Sequence, residues 1–146
     1  MVNWYENEGR LLLEYTAVKE QYPQFEMENE NDRLILKGEM RTNRGNYYRL
    51  KLVYSNNYPR EEPTVFVENA IINGNWYQEL PWFGRQRVHM YINPLRICWN
   101  DRNRAGTWDP RKGNALAVLN TVAVWLFSYE CYVLDNEEKW LGSDHL

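Results

Sequence analysis

Residues 47–67 read YYRLKLVYSNNYPREEPTVFV, and two changes of pattern inside this stretch set the architecture. Tyr48, Leu50, Leu52 and Tyr54 alternate with the polar Arg49 and Lys51, the two-residue period of a strand with one buried face. The alternation stops at Asn56-Asn57-Tyr58-Pro59-Arg60-Glu61-Glu62-Pro63. Two prolines four residues apart in a polar run exclude both a helix interior and a central strand there. Thr64-Val65-Phe66-Val67 then opens a further, β-branched strand.

Toward the N-terminus the same period continues. A turn at Thr42 to Asn46, with Gly45, precedes Tyr48; Leu34, Leu36 and Gly38 alternate before it; and a polar turn at Asn29 to Asp32 separates them from Phe25 and Met27. This predicts a three-strand meander, with Thr64 to Val67 as its fourth strand. Ahead of it, Trp4, Leu11, Tyr15, Val18 and Tyr22 share one helical face of a segment running from Asn3 to Tyr22, with Asn3 as cap and Pro23 just past its end. Beyond Val67, the run from Glu68 to Lys112 has no sustained period. It carries Gly74, Gly84, Gly106, Pro81, Pro94 and Pro110 together with Trp76, Trp82, Phe83, Trp99 and Trp108, which predicts a long functional loop anchored by aromatics. Asn114 then opens a helix over Ala115 to Leu134. Its apolar residues lie nearly all round, Leu116, Leu119, Ala123 and Leu126 beside Val118, Val122, Trp125 and Tyr129, which predicts burial on more than one side. Helix, strands, loop, helix in this order is an α+β fold.

The 146 residues suit one domain over 1–146, and 44% hydrophobic side chains with 15% aromatics exclude a disordered chain. No apolar run approaches the roughly 20 residues that cross a bilayer, and the first ten are polar and acidic, so no membrane partner and a cytoplasmic location are expected. Neither cysteine, Cys98 or Cys131, belongs to a Cys/His group with zinc spacing; no metal and no cofactor are expected, and both thiols read as free.

Cys98 follows an Asn93-Pro94 turn within the irregular run. Between Arg85 and Lys112 seven basic residues face two acidic ones, a local charge of +5 in a chain of net −3. A positive surround favours thiolate, the reactive form of cysteine, and attracts a carboxylate-bearing partner. Equally, a cysteine between Ile97 and Trp99 suits a small buried hydrophobe. His89 lies nine residues earlier and, if the chain doubles back, completes a Cys-His arrangement; it also reads as a structural histidine pinning the loop. Cys131, on the apolar helix near Val124, Phe127 and Leu134, reads as core. The acidic total and the lack of an aromatic-basic repeat argue against a nucleic-acid partner.

Taken together, Tyr58-Pro59-x-x-x-Pro63, Ile97-Cys98-Trp99 and Trp108-Asp109-Pro110 in this order resemble the ubiquitin-conjugating enzymes. Trp125 to Glu130 and Glu138-Lys139-Trp140-Leu141-Gly142 are similar to the conjugating enzymes of bacterial type II CBASS antiphage operons. The resemblance implies the ubiquitin-conjugating (UBC-like) fold in a stand-alone form without an activating domain. It also implies transfer chemistry: Cys98 takes the C-terminal carboxyl of a cGAS/DncV-like nucleotidyltransferase as a thioester, supplied by a separate activating enzyme, and an amine then attacks. Where that family carries His-Pro-Asn, this chain has His89-Met90-Tyr91, so the oxyanion donor is open among His89, Asn93, Asn100 and a backbone N–H, with Asp101 placed to steer the amine. Trp108, Pro110, Tyr58, Pro59 and Pro63 would support the loop, and Glu68 to Val88 would be an aromatic-rich insert. The missing motif keeps two alternatives in view: an inactive binding module on the same scaffold, and a small thiol hydrolase using Cys98 and His89.

Overall fold

The tight turns organise the sheet. Asn31 and Asp32 adopt left-handed φ of 52° and 63°, and Asn73 and Gly74 adopt 52° and 81°, the paired positive φ values whose twist matches that of a two-residue hairpin. The first turn joins β1 (Glu26–Glu30) to β2 (Arg33–Arg41), and the second joins β4 (Thr64–Ile72) to β5 (Asn75–Tyr77). Between them runs β3 (Tyr47–Val53), entered through a turn where Gly45 N–H donates to Thr42 O at 2.9 Å. The computed structural model describes residues 8–81, 90–91, 96–97 and 114–131. Within them one antiparallel sheet also contains two short strands, β6 (Met90–Tyr91) and β7 (Arg96–Ile97), in the order β1-β2-β3-β4-β7-β6, with β5 on β4. Helices α1 (Glu8–Gln21) and α2 (Ala115–Tyr129) complete an α+β architecture.

The expected alternation holds in β3, where Tyr48, Leu50 and Leu52 are fully buried, and continues to Tyr54. Opposite them, β4 buries Val65 and Val67 and then Ala70 and Ile72, a step of three in place of two. The register supplies the cause: Leu50 pairs Val67 but Arg49 pairs Asn69, so Glu68 is an extra residue, a β-bulge that returns the second half of the strand to the core face. Two expectations are corrected here. Residues 68–77, read as irregular insert, form the end of β4 and a hairpin, and Trp76, read as an anchor, is 63% exposed.

Both helices add to one core. Val18 of α1 and Ala115, Val118, Leu119, Val122, Trp125, Leu126 and Tyr129 of α2 join the inward residues of β2, β3 and β4 in one cluster. Trp125 stacks on Tyr129 with ring centroids 5.8 Å apart, Tyr129 meets Tyr48 edge-on at 6.3 Å, and its hydroxyl donates to Pro81 O at 2.5 Å. At the far end of the helix pair, the Tyr22 hydroxyl donates to Asn120 Oδ1 at 2.7 Å. Three further expectations change. The α1 face centres on Glu14 and Val18, with Leu11, Tyr15 and Tyr22 half-buried and Leu12 and Leu13 exposed; Asn3 and Trp4 lie outside the described residues. Far from being covered all round, α2 leaves Asn120, Val124 and Phe127 on a stripe turned from the sheet, with Val124 and Phe127 56% and 55% exposed. Cys131, next on that stripe, is a half-buried free thiol with Arg44 Nη2 4.0 Å from its sulfur, and not a core residue. Leu134 and the end expected for this helix lie outside the described residues.

Asn114 caps α2 in extended backbone geometry, its Oδ1 accepting the Ala117 N–H at 2.8 Å. Replacing it by alanine is expected to cost about 1 kcal/mol, read as a lower urea midpoint at unchanged slope.

Candidate functional site around the Tyr-Pro segment and the helix α2 N-terminus

The Tyr-Pro segment is built by its own polar side chains. Ser55 Oγ accepts the Asn57 N–H at 3.0 Å and donates to Glu61 Oε2 at 3.0 Å, while Asn57 Nδ2 donates to Glu61 Oε1 at 2.8 Å. The Tyr58 N–H donates to Ser55 O at 3.0 Å, and the Tyr58-Pro59 bond is cis. These bonds turn the Tyr58 ring inward to 2% exposure, edge-on to Tyr54 at 4.8 Å, and Pro63 is also buried. Pro59 is half-buried.

Both phenols point at Glu14, an acid on α1 that is only 2% exposed. The Tyr58 hydroxyl donates to Glu14 Oε1, Arg10 Nε and Nη2 donate to the same oxygen at 3.2 and 3.1 Å, and the Tyr54 hydroxyl donates to Oε2 at 3.2 Å. Oε2 also accepts the backbone N–H of Ala115, the first residue of α2, at 2.9 Å. A carboxylate beside the positive end of a helix, with a guanidinium on its other side, has its charge compensated without water. Burial first, and then the Glu14 charge, push both tyrosine hydroxyls above the ordinary phenol range, so they remain protonated donors. Arg10 also lies 5.2 Å from the Tyr58 ring centroid and donates to the Tyr58 hydroxyl at 3.2 Å.

One carboxylate thus joins α1, the end of the meander, the Tyr-Pro segment and the start of α2. The helical pattern of α1 gave no sign of Glu14, because a buried acid interrupts an apolar face; the clue available was two tyrosines and an arginine that needed an acceptor. A second buried carboxylate, Glu130, closes the other end of α2. Its Oε2 accepts from Thr42 Oγ1 at 2.8 Å, Asn46 Nδ2 at 2.7 Å and the Tyr48 hydroxyl at 2.8 Å, with Arg44 Nε 3.8 Å from Oε1.

Of the residues singled out in the sequence, Tyr58, Pro59 and Pro63 take up these positions. Cys98, His89, Asn93, Asn100, Asp101, Trp108 and Pro110 lie outside the described residues. The described residues nearest in the chain to His89, Asn93, Cys98, Asn100 and Asp101 are those of β6 and β7, which pair Met90 with Ile97 and Tyr91 with Arg96, Arg96 in turn pairing Phe66 of β4; those nearest to Trp108 and Pro110 begin at Asn114. No group of three metal-ligating side chains occurs among the described residues. No helix among them is long and apolar enough to cross a membrane.

A family model described as Type II CBASS E2 protein matches residues 14–145. The chain belongs to that family. Membership gives it an E2-like role in CBASS defence, alongside other CBASS proteins. The matched span begins at Glu14 and includes the Tyr-Pro segment, residues 97–99 and all of α2. No curated protein and no solved structure is significantly similar to the chain.

Proposed function

We infer that this CBASS E2 protein is an acyl carrier of UBC-like fold. Cys98 sulfur attacks the thioester carbonyl of an activated protein C-terminus, expelling the activating enzyme's thiol and forming a new thioester. An amine nitrogen then attacks the same carbonyl, loses a proton, and expels the Cys98 thiolate as the amide forms. The partner supplying the C-terminus is a cGAS/DncV-like nucleotidyltransferase, and a separate activating enzyme supplies the first thioester.

The observation that carries this reading is the family match across 14–145, which includes Cys98. Chain geometry supports it. His89 and Cys98 are the chain neighbours of Met90 and Ile97, which pair across β6 and β7. A thioester is already activated, so the protein has to position the amine and stabilise a transient oxyanion. His89, Asn93, Asn100 or a backbone N–H serves as that donor, Asp101 steers the amine, and Trp108 and Pro110 support the loop. Each oxyanion donor is worth about 3 to 4 kcal/mol in sites of this kind.

Incubation with the nucleotidyltransferase and its activating enzyme is expected to yield an adduct that thiol reductants cleave and that Cys98→Ala abolishes. Transfer at the parent rate by Cys98→Ala would end the proposal. The second reading, an inactive binding module, is favoured by Met90-Tyr91 standing as strand residues where the family's Pro-Asn would be. It predicts a partner that binds without any adduct and a Cys98 inert to iodoacetamide.

A further inference from the structure

We propose that Arg41, Tyr47, Ile71 and Trp76 form a docking surface for an acidic polypeptide segment that carries a large apolar side chain. This surface makes no use of Cys98 and goes beyond the acyl-carrier reading. Arg41 pairs Tyr47, Tyr47 pairs Ile71, and Ile71 pairs Trp76, an unbroken row across β2, β3, β4 and β5. At the usual strand spacing its two ends lie about 14 Å apart. Met40, Tyr48, Ala70 and Ile72, chain neighbours of the row, are buried in the core, so the row itself stands on the opposite face of the sheet. Arg41, Ile71 and Trp76 are exposed there, and Tyr47 is half-buried. Arginine, tyrosine and tryptophan are the side chains most enriched among those that dominate interface energies.

The row is held from within the fold. The Asn73-Gly74 turn sets the β4–β5 hairpin, and the Asn73 N–H donates at 3.0 Å to Oδ1 of Asn46, the residue before Tyr47. Asn46 Nδ2 is bound in turn to Glu130 at 2.7 Å. Both hairpins that carry the row are thus fixed to one buried side chain, which lowers the ordering cost of binding. Charge selects the occupant. On the same face Lys37 and Lys51 are neutralised by Glu30, at 3.4 and 3.1 Å. Arg41 and Arg49, on either side of Tyr47, form no ion pair among the described residues, and positions 40–49 hold three arginines and no acid. Glu39, opposite Arg49, lies on β2, the side of the patch away from Trp76. A carboxylate-bearing segment therefore meets guanidinium groups at one end of the row and Ile71 and Trp76 at the other. A single-stranded nucleic acid fits less well, because it needs free ring faces for stacking. Arg41 covers one face of Tyr47, 5.3 Å from the ring centroid, and aliphatic Ile71 separates that ring from Trp76.

The test titrates the isotope-labelled full chain with an array of short synthetic peptides, each with one leucine, phenylalanine or tryptophan between two to four glutamates. Peptides with glutamine for glutamate, and an oligothymidine, serve as comparators. An acidic peptide is expected to bind with a Kd below about 1 mM, to move the amide resonances of Arg41, Tyr47, Ile71 and Trp76, and to weaken as salt is raised. Trp76→Ala is expected to weaken it about tenfold or more, and Leu12→Ala, on an exposed part of α1, to leave it unchanged. Should Trp76→Ala fail to fold, Arg41→Glu at the other end of the row is expected to weaken binding by a similar factor, and an unchanged affinity refutes the proposal. No binding anywhere in the array, resonance changes centred elsewhere, or glutamine peptides that bind as tightly as the glutamate ones would each overturn it. Tighter binding of oligothymidine at the same residues would make this a nucleic-acid surface, and shifts that grow with protein concentration alone would make it a contact between copies of the chain; either outcome overturns the acidic-segment assignment.

Discussion

Glu130→Ala is expected to lower the unfolding free energy by about 3 to 5 kcal/mol, a large part of the stability of a domain this size. Glu130 is 1% exposed, and the substitution removes the acceptor shared by Thr42, Asn46 and Tyr48. Thr42 is half-buried and can recover a water, but Asn46 and Tyr48 are 2% and 0% exposed and cannot. Asn46 also cannot turn its amide to hide the loss, because its Oδ1 already accepts the Asn73 N–H at 3.0 Å from the β4–β5 hairpin. Two stranded donors at about 1 to 3 kcal/mol each, with the space left by the side chain, account for the size of the effect. Glu130→Gln keeps one oxygen for the three donors and turns its amide nitrogen toward the part-exposed Arg44, so it should cost only about 1 to 2 kcal/mol. Urea unfolding followed by tryptophan fluorescence measures both. A loss below about 1 kcal/mol for Glu130→Ala would show that the cluster does not hold the C-terminal end of α2 to the β2–β3 turn.

Gly38→Ala is expected to destabilise by about 2 to 3 kcal/mol, although alanine is ordinarily the better strand residue of the two. A Cβ on Gly38 would stand 2.6 Å from Phe25 Cγ, 2.7 Å from Cδ2 and 2.9 Å from the Phe25 Cα. The ring contacts could be relieved by a rotation in a less dense place, but Phe25 is fully buried, and the third contact is with backbone. Relief requires the chain entering β1 to move away from β2. Phe25→Ala in the Gly38→Ala background removes Cγ and Cδ2, the two side-chain atoms that the new Cβ meets, and should return some of the loss. The two changes should therefore couple by about 1 kcal/mol in a double-mutant cycle, and additive effects would refute the steric account.

Local pattern is enough to locate the meander, both helices and the Tyr-Pro turn. Their signals are local: alternation in Tyr48 to Tyr54, two prolines four residues apart, a cap at Asn114 and a 3.6-residue apolar rhythm after it. The Asn73-Gly74 pair is an equally local hairpin signal, obscured by the glycines and prolines that follow it and give the stretch the composition of a loop. The inward turn of Ala70 and Ile72 depends instead on strand pairing. One inserted residue, Glu68, reverses which side of the strand faces the core, and an insertion is defined only against the partner strand. The same holds for Glu14 and Glu130. A buried carboxylate is stable only where donors converge on it, and those of Glu14 come from positions as far along the chain as Tyr58 and Ala115. No periodicity records a convergence of that kind, because it is a property of how the elements pack and not of any one of them.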